Sequence, residues 1–81
     1  MFLDDAIGKR IKDLCNEKGI SPYMASRKAG LPDATVRCIF YGRSKNVGTR
    51  TIKDLCEALD ITIYDFFNDP MFKDKELEGR Y

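Results

Sequence analysis

Charge is the first chemistry the sequence displays. Between positions 18 and 53 it sets Lys18, Arg27, Lys28, Arg37, Arg43, Lys45, Arg50 and Lys53 against a single acid, Asp33. Positions 54–81 reverse the balance, with Lys73, Lys75 and Arg80 against Asp54, Glu57, Asp60, Asp65, Asp69, Asp74, Glu76 and Glu78. The formal net charge of +1 therefore hides a strongly basic middle. Such a block is the footprint of a polyanion partner; solvated surface charge that happens to segregate is the alternative.

Catalytic chemistry has little to work with. The chain has no histidine, which removes imidazole acid–base catalysis, Ser/His/Asp and Cys/His triads and every histidine-containing zinc site. No nucleophile with an adjacent base and no phosphate-cradling glycine loop is present, so the chain reads as a non-enzyme with no cofactor and no metal. Cys15, Cys38 and Cys56 form no CxxC pair and would leave one thiol over from any disulfide, which implies a reducing, cytoplasmic setting. Cys15 and Cys56 fall on apolar helical patterns and read as small buried hydrophobes. Cys38 faces outward beside Arg37, where a redox-sensitive thiol is the less favoured reading. The acidic start MFLDDAIGKR does not read as a signal peptide and no apolar run approaches membrane-spanning length, so no membrane partner is expected.

The elements that must position these charges are helices. Leu3, Ile7, Ile11 and Leu14 recur at helical spacing, predicting a helix from about Asp4 to Lys18 that Gly19 stops. Ser21 followed by Pro22 starts a second helix, which runs to about Ala29 with a small inner face of Ala25, Ser26 and Ala29, and Gly30 ends it. A third helix begins near Pro32, turns Val36, Ile39 and Phe40 inward and ends at Tyr41-Gly42, with Tyr23, Met24 or Phe40 filling the space beside the small second helix. The polar stretch from Gly42 to Gly48 is a loop. Thr49 or Thr51 caps a fourth helix carrying Ile52, Leu55, Cys56 and Leu59 on one side, and Thr62 with Asp65 forms a capping box for a brief fifth helix with Phe66 and Phe67. An 81-residue chain holds one domain, here an all-α unit over residues 1–69. Residues 70–81 form a charged C-terminal tail, expected to be a frayed helix or disordered and dispensable for stability.

In this order the pieces resemble the helix-turn-helix family of phage lambda Cro and cI-type repressors, the Xre-like proteins. The resemblance covers about residues 3 to 68. It is carried by the run Ser21 to Leu31, by Ala34-Thr35-Val36-Arg37-Cys38-Ile39, by Tyr41-Gly42-Arg43-Ser44-Lys45 in place of the family's N-G-K loop, and by Thr51 to Leu59 with Ile61 to Phe67 as the closing helices. It implies a compact five-helix lambda-repressor-like fold whose second and third helices form the helix-turn-helix, and a third helix that enters the major groove of double-stranded DNA.

On that footing the base-reading candidates are Asp33, Ala34, Thr35, Arg37 and Cys38. Arg37 can grip guanine bidentately, and Ala34 and Thr35 can meet a thymine methyl. Asp33 can accept from cytosine, although service to the helix N-terminus and a pairing with Arg37 one turn on is favoured. The phosphate candidates are Arg27, Lys28, Tyr41, Arg43, Lys45, Asn46, Arg50 and Lys53. Two departures stand out: Pro22, Asp33 and Ala34 occupy positions where many members carry long polar side chains. Phe40 and Tyr41 replace the glutamate that elsewhere pairs with the arginine matched by Arg10, leaving Arg10 free for another acid.

The function implied is a sequence-specific transcriptional regulator of repressor type. It would act as a homodimer joined through Ile61, Ile63, Tyr64, Phe66 and Phe67. The alternative is a five-helix protein-interaction module or an antitoxin, with a toxin or another regulator as partner.

Overall fold

The computed structural model describes residues 2–43 and 47–78. Five helices follow in order: α1 (Leu3–Lys18), α2 (Pro22–Ala29), α3 (Asp33–Phe40), α4 (Thr49–Ala58) and α5 (Ile63–Phe67), with a closing 3-10 turn at Pro70–Lys73. No strand occurs among the described residues; an isolated bridge pairs Phe2 with Glu78.

The apolar stripes meet in one core. Ile7, Ile11, Leu14 and Cys15 of α1 pack with Ala25 of α2, Val36, Ile39 and Phe40 of α3, Ile52, Leu55 and Cys56 of α4, Leu59, and Phe66 of α5. Leu3, outside this cluster at the first helical position, stays 39% exposed. Burial pushes the Cys15 and Cys56 thiols up from their ordinary pKa, which keeps both as neutral packing groups. Of the three residues expected to fill the space beside the second helix, Phe40 is buried in the core, whereas Tyr23 and Met24 are exposed.

Local signals terminate the helices largely as their chemistry requires. Gly19 and Gly30 adopt left-handed backbone at the ends of α1 and α2, and the residue after each donates back to the last turn, Ile20 N–H to the Cys15 carbonyl and Leu31 N–H to the Ser26 carbonyl, both at 3.0 Å. The Ser21 hydroxyl accepts from the Met24 N–H at 3.1 Å. Thr62 and Asp65 form the full capping box. At α4 the expectation of a threonine cap fails. Val47 packs on the core, the chain turns helical already at Thr49, and Gly48 takes the extended capping position without a side-chain hydrogen bond.

Two close contacts set α3 in place. α1 crosses α3 at Gly8, where a Cβ would be driven into the carbonyl of Ile39. Gly42, at φ +67, ends α3 beside α1; a Cβ there would lie 2.8 Å from Asp5 Oδ1.

The expectation of a frayed or disordered tail fails over its described part. Asp69 caps the 3-10 turn, its Oδ1 accepting from the Met71 N–H at 3.0 Å. Phe72 reaches the core edge, with its ring centroid 6.2 Å from Phe66 and 5.0 Å from Phe67. The Leu3 N–H donates to the Glu78 carbonyl at 2.6 Å. A short charged segment is ordered here because one aromatic side chain and the backbone of α1 give it partners.

Candidate nucleic-acid interface

Burial of Val36, Ile39 and Phe40 fixes the rotation of α3 about its axis. At 100° per residue the opposite side then carries Ala34, Arg37 and Cys38, all exposed, with Asp33 and Thr35 partly covered. The end of the helix extends this surface. The Gly42 N–H donates to the Ile39 carbonyl at 3.2 Å and the Arg43 N–H to the Cys38 carbonyl at 2.9 Å, folding the chain back so that Arg43 returns to the helix terminus. Ala34, Arg37, Cys38, Tyr41 and Arg43 consequently line one shallow groove.

Within it, Arg37 Nε lies 3.0 Å from Asp33 Oδ2, one turn earlier. Both side chains are well exposed, so the pair adds little stability. Its effect is orientational: the carboxylate engages Nε, while the terminal guanidinium nitrogens make no ion pair or hydrogen bond among the described residues. The pairing favoured by the i, i+4 spacing is thus present, and Asp33 has a role toward Arg37 rather than a position of its own on the groove.

The remaining cations divide into two groups. On α4, Arg50 meets Asp54 and Lys53 meets Glu57, each at 3.4 Å and one turn apart. On α2, Arg27 Nη1 donates to the Tyr23 hydroxyl at 3.1 Å with its guanidinium 5.8 Å from the ring centroid, and Lys28 is exposed. Arg43 stands 5.6 Å from the centroid of the Tyr41 ring. Neither Arg27, Lys28 nor Arg43 forms an ion pair among the described residues. Lys45 and Asn46 lie outside the described residues. The groove on α3 gathers base-facing and phosphate candidates together; the basic residues of α2 and α4 do not line it.

Lys12 of α1 also approaches Tyr41, with Nζ 5.6 Å from the ring centroid. Its sequence neighbourhood is nearly neutral and gives no hint of this position, which exists only because α1 lies against the end of α3.

α2, the Gly30 turn and α3 form a helix-turn-helix whose second helix turns one face to solvent. The chain matches the Cro/C1-type HTH DNA-binding domain over residues 10–70. It belongs to that family. The crystal structure of the prophage Lp1 protein 11 is similar, with a TM-score of 0.78 and 29% identity over 91% of this chain and 99% of that one. No curated protein matches significantly. As a Cro/C1-type HTH protein the molecule is a DNA-binding regulator, and α3 is the second helix of its helix-turn-helix. Among the described residues no helix is long and apolar enough to cross a membrane.

The family's usual ion pair to the α1 arginine is rebuilt here. Arg10 donates from Nε to the Phe66 carbonyl at 2.7 Å and from Nη2 to the Asp65 carbonyl at 2.8 Å, and its Nη1 lies 3.4 Å from Asp69 Oδ2. It satisfies the carbonyl end of α5, where a cation also opposes the helix dipole. Arg10 does find another acid, but in the segment after α5.

Proposed function

We propose that the protein is a non-enzymatic, cytoplasmic transcriptional repressor that occupies a double-stranded DNA operator as a homodimer, with α3 in the major groove. The observation that carries this reading is the outer face of α3, on which Arg37 is oriented by Asp33 with its terminal nitrogens available. Arg37 reads guanine, Ala34 and Thr35 meet a thymine methyl, and Cys38 lies against the groove floor. Arg27, Lys28, Tyr41, Arg43, Lys45, Asn46, Arg50 and Lys53 hold the phosphates. The helical unit 1–69 carries this function, and residues 70–78 of the charged tail brace it.

One short reading helix distinguishes too few base pairs to find an operator alone, which is the argument for two copies. Ile63, Tyr64 and Phe67 are 43%, 75% and 37% exposed and supply an apolar patch for the contact. Phe66, expected on the same surface, is fully buried and supports the fold instead.

A second reading, an interaction module or antitoxin bound to a protein partner, draws on the same apolar patch and on the acid beside Arg37. A fluorescence titration with selected and random-sequence duplexes at several salt concentrations separates the two. The repressor reading expects steep salt dependence and tighter binding to the selected site; salt-independent or absent duplex binding favours the interaction module.

A further inference from the structure

We infer that Lys12 and Arg43 together form a seat for one stretch of DNA backbone phosphate at the end of α3, extending the interface onto α1. The inference deepens the DNA-binding reading and rests on it. Two cations from different elements converge on one ring: Lys12 Nζ and the Arg43 guanidinium each lie 5.6 Å from the Tyr41 centroid. A ring face attracts cations through its quadrupole but carries no net charge, so Tyr41 itself neutralises neither of them. Neither cation forms an ion pair among the described residues, and both side chains are exposed.

The surroundings favour an anion there. A second shallow groove, lined by Asp5, Lys9, Lys12, Phe40, Tyr41 and Gly42, meets the α3 groove at Tyr41. Lys9 is held by Asp13 at 3.2 Å and contributes less, while Asp5 is the one acid in the lining, its carboxylate beside Gly42. The cations of α4 stand differently. Arg50 and Lys53 already face a carboxylate, so a phosphate there competes with an anion in place. At Tyr41 neither Lys12 nor Arg43 forms an ion pair with a carboxylate among the described residues, so a phosphate there breaks no such pair.

The test is the salt dependence of binding to a random-sequence duplex by the full chain, comparing wild type, Lys12→Met, Arg43→Met, Arg50→Met and Lys18→Met. Loss of one phosphate contact lowers the slope of log K against log salt by about 0.9, which is about an eightfold loss at 0.1 M salt relative to 1 M. Lys12→Met and Arg43→Met should each show this loss with an unchanged thermal melt, since both residues are exposed. Arg50→Met should lose less, and Lys18→Met, about 9 Å further along α1 at its C-terminus, should match wild type. A Lys12→Met slope equal to that of wild type, or a change no larger than that of Lys18→Met, overturns the seat while leaving DNA binding intact. A wild type with no salt-dependent duplex binding overturns the DNA reading, and the seat with it.

Discussion

The two arginines of the helical unit that matter most, Arg10 and Arg37, stand in opposite circumstances. Arg10 is 14% exposed and fully engaged by two carbonyls and a carboxylate contributed by α5 and the segment after it. Arg37 is 60% exposed and meets one carboxylate on its own helix through one nitrogen. The same side chain thus ties distant parts of the chain together in one region and is held ready for a partner in the other. What separates them is tertiary: Arg10 is covered by residues more than fifty positions away, Arg37 by none.

If that contrast is right, breaking the closed region costs stability and breaking the open one costs binding. The largest effect is expected for Arg10→Met. It leaves the Phe66 carbonyl unpartnered, the Asp65 carbonyl with only the Asn68 N–H, and Asp69 without its cation, and chemical denaturation should register a loss of about 3 kcal/mol.

Gly8→Ala comes next. Helix propensity alone would favour alanine by about 1 kcal/mol. Because the new methyl meets the backbone carbonyl of Ile39, a net loss of about 2 kcal/mol is expected instead, together with displacement of α3 and weaker DNA binding. A stabilised Gly8→Ala variant would show that α1 and α3 are not in close contact.

Phe72→Ala is the smallest of the three. The ring is partly buried against Phe66 and Phe67, so its removal should cost about 1.5 kcal/mol in the same denaturation experiment. A value near zero would restore a dispensable segment after Pro70 and leave Arg10 as the only strong tie to the C-terminal region.

The contrast also explains what could be read from the sequence. Helix positions, the apolar stripes, the Thr62–Asp65 box and the Asp33–Arg37 pair all depend on spacings of three or four residues, and each is present. Contacts between distant residues left no such trace. Met71, Phe72 and Leu77 stand out as the apolar residues of the tail, but without a helical period nothing announces that it is the Phe72 ring that reaches Phe66. Nor could the Lys12–Tyr41 approach be foreseen, since it depends on where α1 crosses α3 and on Gly8 allowing that crossing. The threonine cap of α4 is absent for a related reason: Val47 packs on the core and Gly48, not a hydroxyl side chain, takes the capping position.

The central claim is that the open face of α3 reads sequence while the surrounding cations position it. Its most direct measurement is a paired titration of wild type and Arg37→Ala on the preferred duplex and on random duplex. The account predicts that Arg37→Ala loses about 1–3 kcal/mol on the preferred site, relaxes preference at one base pair and changes random-duplex binding little. Equal weakening on both duplexes would contradict it, making Arg37 a phosphate contact and leaving the outer face of α3 without its principal reader.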